Sequence, residues 1–239
     1  MSNSISVALS SQQALRRQMD VIANNVANAS TPAFKGQRMM FAEWLSRTGG
    51  TDKVSFVQDY GTRQDLRQGA LTQTGNTLDL ALKGDGFFAV QTTEGVRYSR
   101  NGRLQLNEQR QLVTGAGEPV LAEGDQPLNI PAEAVDISIA RDGTVSTEQG
   151  IAGRINVVRF AQDARLLPAA GGLYITDANP QPAEGTLVVQ GMVEESNVQS
   201  IIEITRMMEL SNRYNAAKDM LDGEDDRIKN AIDKLSRVA

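Results

Sequence analysis

The sequence contains neither cysteine nor histidine. Disulfides, thiolate nucleophiles, the Ser-His-Asp triad and the usual zinc and iron sites are excluded with them, because each needs a thiolate or an imidazole. No cluster of lysine and arginine is present, and the formal charge is −5. A protein whose work is gripping nucleic acid needs a concentrated basic surface, so nucleic acid is not an expected partner. There is no run of 18 or more apolar residues, and the first residues, MSNSISVALSSQQALRRQMD, lack the basic start, apolar stretch and cleavage site of a secretory signal. Neither membrane insertion nor a cleaved export signal is therefore expected. What remains is a 239-residue chain, 40% hydrophobic and 22% charged, which is enough apolar material for a sizeable core.

Apolar residues recur at alternating steps of three and four near the N-terminus. Positions 5, 8, 12, 15, 19, 22, 26 and 29 read Ile5, Ala8, Gln12, Leu15, Met19, Ile22, Val26 and Ala29. The spacing predicts a helix with a narrow seam of coiled-coil type, interrupted by Gln12. It should stop near Asn28 to Ser30, because Pro32 disfavours helical geometry at Thr31 and has no amide to donate. A second seam runs through Met207, Leu210, Tyr214, Ala217, Leu221, Glu224, Ile228, Ala231, Leu235 and Val238, with Val198, Ile201, Ile204 and Met208 widening it upstream. One long helix is predicted over 198–238, and Gly223 inside an acidic cluster marks a place for a kink or a frayed end.

The texture changes between these segments. Short runs such as Phe87 to Gln91, Val96 to Ser99, Leu104 to Leu106 and Leu112 to Thr114 alternate with turn material, for example Glu94-Gly95 and Asn101-Gly102. The pattern continues through Ile155 to Phe160 and Thr186 to Gln190, and it predicts an antiparallel β domain over 81–186. Residues 36–80, which hold the only tryptophan, Trp44, read as a connector, partly extended. The fold class expected is α+β, an antiparallel all-β central domain flanked by long N- and C-terminal helices. The ends differ in charge: residues 1–48 hold five basic and two acidic residues, residues 194–239 seven basic and ten acidic. Such ends suit helices that pack on each other or on neighbouring molecules. An ordinary α+β domain whose terminal helices cover its sheet is the competing reading.

Three local patterns invite functional readings. Gly84-Asp-Gly86-Phe-Phe-Ala89 fits a loose dinucleotide fingerprint, but a strand-like run follows where a helix N-terminus is required, so a turn is expected. Asp222, Glu224, Asp225 and Asp226 miss the residue order of an EF-hand and read as a solvated helix face. A glycosidase would need only two carboxylates, yet nothing singles out a pair among 29 acids. No catalytic residue, metal ligand or cofactor is assigned.

The segment Leu15-Arg-Arg-Gln-Met-Asp-Val-Ile-Ala-Asn-Asn-Val-Ala-Asn-Ala-Ser-Thr-Pro-Ala-Phe-Lys-Gly36 resembles the N-terminal signature of the flagellar axial proteins, the family of rod and hook subunits. The family motif falls on Asn24, Asn25, Asn28, Thr31, Pro32 and Phe34. Glu195-Ser-Asn-Val198 with Arg213-Tyr214 resembles the C-terminal signature, and Gly75 to Phe88, Tyr98 to Gly102 and Leu112 to Gly115 resemble the shared β domain. The match covers nearly the whole chain, and the modest length looks most like a proximal-rod subunit, with a distal-rod subunit as the alternative. Remote alternatives are a peptidoglycan-degrading enzyme and a cytosolic coiled-coil adaptor or export chaperone.

The resemblance implies a non-enzymatic structural subunit of the basal-body rod, in the periplasmic space. It implies terminal helices packed together as a coiled-coil layer, and export through the flagellar type III apparatus without a cleaved signal. Expected partners are other proximal and distal rod subunits, the chain itself and that apparatus. The chain would divide into 1–35, the N-terminal helix and motif; 36–80, the connector; 81–186, the β-rich domain; and 187–239, the C-terminal segment. The assembly interface is expected on Ile5, Ala8, Leu15, Met19, Ile22 and Val26 of the first helix. On the second it is expected on Val198, Ile201, Ile204, Met207, Leu210, Tyr214, Ala217, Leu221, Ile228 and Leu235. Ala33 stands where the family often has glycine, which argues against a positive φ at that turn.

Overall fold

The computed structural model describes residues 2–47, 53–134, 136–161 and 164–236; side chains are described from Leu9 onward, outside 41–60, 231, 232 and 234–236. Two helices, one at each end, flank an antiparallel β-rich body. The chain forms two compact units. One contains residues 1–29, 36–65 and 198–239; the other contains 30–35 and 66–197.

In the first unit, α1 (Ser2–Ala27) and α2 (Ser200–Ser236) pack against each other, and α1 also packs on a long hairpin, β1 (Gln37–Arg47) with β2 (Lys53–Gln64). The hairpin is antiparallel, with a register shift between Met39 and Phe41. α1 ends because the chain turns before Pro32: the amide of Asn28 still donates to Asn24 O and Asn25 O, and its side chain also caps Asn24 O. α2 begins on the carbonyl of Gln199, which accepts the amides of Ile202 and Glu203. The acid Glu203 in its first turn suits the positive end of the helix dipole. The kink expected at Gly223 is absent, and α2 runs unbroken through it. Ion pairs Glu224–Arg227 and Asp225–Lys229, at helical spacing, follow immediately and offset the acidic crowding. Among the described residues no helix is long and apolar enough to cross a membrane.

The second unit is the β body. Its largest sheet orders β13 (Leu167–Pro168), β14 (Leu173–Ile175), β6 (Gly95–Ser99), β5 (Phe87–Thr92), β12 (Val157–Arg159) and β15 (Gln181–Pro182), all antiparallel. Smaller ladders pair β3 (Leu71–Gln73) with β17 (Met192–Glu194), β4 (Leu80–Lys83) with β16 (Leu187–Gln190), and β7 (Leu104–Leu106) with β8 (Leu112–Thr114). A three-stranded sheet joins β9 (Ile137–Ile139), β10 (Thr144–Thr147) and β11 (Gly150–Arg154).

Strand β5 explains the layering. Side chains alternate sides along a strand, so Phe88 and Val90 enter the main core with Leu80, Leu82, Leu112 and Val120, while Phe87 and Ala89 enter a second cluster with Tyr98, Leu121 and Tyr174. Aromatic contacts tie that cluster: Tyr98 meets Phe160 at 4.7 Å between ring centroids, and Phe87 meets Tyr174 at 5.5 Å. The turn between β4 and β5 holds Gly84 at φ 113°, and a strand follows it instead of a helix. Its carbonyls at Gly84 and Gly86 each accept a 2.8 Å hydrogen bond from Arg100 Nη1, so the loop presents oxygens to a cation and makes no phosphate cradle.

Candidate assembly surfaces and helix roots

Between Ile201 and Asn230 the covered residues of α2 are Glu203, Met207, Leu210, Tyr214, Ala217, Leu221, Glu224 and Ile228, and every residue between them is exposed. The steps alternate between four and three, a two-in-seven stripe. Met207, Leu210, Tyr214, Ala217, Leu221 and Ile228, expected on an assembly interface, lie on this stripe; Val198 is half-buried just ahead of the helix. Ile201 and Ile204 lie off it, 81% and 46% exposed, and Met208 beside them is 57% exposed. The side chain of Leu235 lies outside the described residues.

The α1 face is broader. Ala14, Ile22 and Asn25 are buried, and Leu15, Met19 and Val26 are half-buried. The most covered line therefore runs beside the expected seam, meeting it at Ile22. Contact with the hairpin on top of contact with α2 spreads the covered face, whereas a strict seam serves a single partner helix. Ile5 and Ala8 lie in α1, but their side chains are outside the described residues.

Asn25 links all three elements of this unit. Its Nδ2 donates to Gln37 O at 2.9 Å and its Oδ1 accepts from Gln37 N at 2.8 Å, so the side-chain amide completes the ladder that β1 leaves open. The same Nδ2 lies 3.4 Å from Glu203 Oε2 on α2, and Glu203 Oε1 is paired with Arg206 at 2.5 Å. This contact joins the last turns of α1 to the first turn of α2, and the covered stripe of α2 runs on from there to Ile228, so the two helices are antiparallel. Among the other motif residues, Asn24 and Thr31 are exposed, and Asn28, Pro32 and Phe34 are half-buried.

The end of the motif is fastened inside the β body. Ala33, at φ 58°, adopts the left-handed geometry that its side chain argued against. Its amide donates to Glu194 O at 2.8 Å and the residue is buried, so tertiary contacts hold a conformation that costs alanine about 1–2 kcal/mol. Asn197 N donates to Phe34 O, and Asn197 Nδ2 donates to Arg67 O at 2.9 Å. Beneath these backbone bonds lie three buried charges. Lys35 Nζ contacts Glu194 Oε1 at 2.5 Å and donates to Arg67 O at 2.8 Å, while Gly69 N donates to the same carboxylate oxygen. Arg100 Nε lies 3.3 Å from Glu194 Oε2, without the alignment of a hydrogen bond. Side-chain exposure is 1% for Lys35, 0% for Glu194 and 3% for Arg100.

Burial lowers the Arg100 pKa, countered by Glu194 and then Asp85 and Tyr174. The Tyr174 phenol is pushed up to about 12, first by burial and then by the Glu194 charge, with Arg100 opposing. Lys35, Arg100 and Glu194 were beyond the reach of periodicity, which reports apolar faces; 159 residues separate the lysine from its carboxylate.

Residues 5–35 match the family model of the flagella basal body rod protein, residues 81–147 that of the flagellar hook protein FlgE/F/G D1 domain, and residues 189–234 that of the flagellar basal body rod FlgEFG protein C-terminal region. The chain belongs to the flagellar basal-body rod protein family, the structural subunits of the rod. It is 37% identical to the flagellar basal-body rod protein FlgF of Caulobacter vibrioides across the full length of both chains. FlgF of Rhizobium meliloti is 30% identical over 98% of each chain, and FlgG of Bacillus subtilis is 30% identical over 97% of this chain and 98% of its own.

Proposed function

We propose that this chain is a non-catalytic subunit of the proximal rod that assembles through its terminal helices and passes torque along the shaft. In this reading α1 and α2 close as a coiled-coil layer, and neighbouring rod subunits, including further copies of the chain, pack against them. The observation that carries the reading is the second stripe on α2: Ile201, Ile204 and Met208 are exposed side by side at helical spacing, away from the stripe that faces α1. Exposed apolar residues grouped on one helix face are the signature of an interaction surface. The divisions at 35, 80 and 186 would then be helix, connector, β-rich body and returning helix. Delivery would be through the flagellar type III export apparatus.

The test is isolation of basal bodies from cells carrying Ile204→Asp or Met208→Asp. The β body should stay folded, and the variant should be missing from the rod with motility lost, because a carboxylate placed in a dry contact has neither water nor a partner. Normal incorporation of both variants would remove the second stripe as an interface. Similarity to FlgG proteins at 30–32% identity supports a distal-rod position as the second reading, and labelling the chain's place along the isolated rod decides between them. Release of peptidoglycan fragments by the purified chain would overturn the non-catalytic reading.

A further inference from the structure

We infer that residues 30–35 form a releasable strap on the β body: Lys35 locks the strap onto Glu194, and Arg100 is the carboxylate's stand-in partner when the strap lifts. All of these residues belong to the second unit, so the inference needs nothing from the helices.

The receiving side is built without the strap. Strands β3 and β17 pair up to Leu71 and Glu194, and just beyond them Glu195 N donates to Ala70 O at 2.8 Å. The chain ahead of β3 runs so close to the end of β17 that a Cβ at Gly69 would sit 2.0 Å from Glu195 O. Gly69 N also donates to Glu194 Oε1 at 2.9 Å, which orients the carboxylate from the body's own backbone. A seat with an anion at its base is therefore formed by residues 66–70 and 194–197.

The strap is held by a different kind of contact. Among the described residues, neither apolar cluster of the body contains a member of 30–35. Ser30 and Thr31 are exposed, and Pro32 and Phe34 are half-buried. The contacts that fasten the segment are polar: Ala33 N on Glu194 O, Asn197 N on Phe34 O, and the Lys35 ammonium on Glu194 Oε1 and Arg67 O. Left-handed Ala33 holds strain that release would remove. An element poor in apolar contacts belongs to the low-stability end of a structure, where it opens while the core stays closed.

Withdrawing a lysine from a buried carboxylate is ordinarily forbidding, because the charge left behind has no partner. Glu194 has a second cation beside it. Arg100 Nε lies 3.3 Å from Oε2, and that oxygen accepts no hydrogen bond while Lys35 holds Oε1. The guanidinium is anchored at its far end by the carbonyls of Gly84 and Gly86, so it stays in place when the strap leaves. Two cations around one carboxylate give two balanced states: Lys35 docked with Arg100 Nε standing off, or Lys35 in water with Arg100 Nε bonded to Oε2.

Hydrogen exchange and side-chain NMR of the full chain test both halves of the inference. In the wild type the amides of Ala33 and Asn197 should open together, about tenfold or more as often as those of Ala89 and Leu121 in the core. Lys35→Met should speed exchange at Ala33 and Asn197 by a further tenfold or so, with Ala89 and Leu121 unchanged. In the same variant the Arg100 Nε proton should move downfield and gain protection, as expected of a donor that has taken up a carboxylate. Strap amides that exchange only as fast as the core would overturn the releasable strap, and so would loss of the folded β signal in Lys35→Met. An Arg100 Nε signal unaltered by Lys35→Met would overturn its role as the stand-in.

Discussion

The β body and the helical unit solve the problem of burial differently. In the body Leu80, Leu82, Phe88, Val90, Val120 and Val145 have no exposure at all, and both faces of β5 are sealed. In the helical unit Ala14, Ile22 and Leu210 are the buried apolar residues among those described, and most of the α2 stripe is only half covered. The difference teaches where each unit's stability comes from. The body closes its own core, while α2 keeps large apolar side chains in water that a neighbouring molecule can cover.

The sharpest way to break this contrast is to disturb the body by a single methyl. A Cβ at Gly102 would fall 1.8 Å from Leu80 O, a backbone atom, at the place where Leu80 N donates to Gly102 O. Gly102→Ala should cost about 3 kcal/mol or more and lower the melting midpoint of the whole β signal. Leu210→Ala should leave that midpoint in place and reduce amide protection in α2; an equal fall in both signals would mean that the units are not energetically separate.

A second measurement titrates the body alone. The Tyr174 phenol is raised to about 12 in the folded chain, against about 10 in an unfolded one. Between those values the unfolded state loses its proton while the native state keeps it, so stability is complete below pH 10 and falls as pH rises towards 12. The loss is at most about 2–3 kcal/mol. Urea midpoints at pH 9 and 11.5 should show the fall, and Tyr174→Phe should flatten it, leaving the smaller contribution of Tyr98, which burial shifts in the same direction.

On the helical side, Asn25→Ala removes both partners of the Gln37 backbone, and the unmet amide and carbonyl should cost about 1–3 kcal/mol, read as faster exchange in β1 with the body unaffected. The smallest effect is expected at Ala33. Glycine relieves about 1–2 kcal/mol of left-handed strain but loses a buried methyl and gains unfolded-state freedom, so Ala33→Gly should move stability by less than about 1 kcal/mol. Ala33→Val, branched at Cβ, should be clearly worse by the same thermal melt.

The helices were legible because periodicity is a local property: Met207, Leu210, Tyr214, Ala217, Leu221, Glu224 and Ile228 form the covered stripe in the register their spacing gives. The short strands and the turn at Gly84 were legible for the same reason, through glycine and asparagine punctuation. Apolar spacing does not say which partner covers a face, and so the broad face of α1 and the outward turn of Ile201 and Ile204 are set only by tertiary packing. Residues 36–80 read as a connector, and the hairpin β1–β2 inside them went unread, because a hairpin's pairing is set across its turn and not along it. Ala33 misled because intrinsic backbone preference was outweighed by one hydrogen bond to Glu194 and by burial. The three-charge cluster left no trace in composition, since its members come from segments that meet only after folding.

Pro168 and Pro182 sit on the two outermost strands of the six-stranded sheet, each strand only two residues long. A proline has no amide to offer an incoming strand, so neither edge can template another sheet. For a structural subunit of the rod, this amounts to insulation. Molecules brought side by side are denied the runaway edge-to-edge fusion that ends in fibrous aggregates.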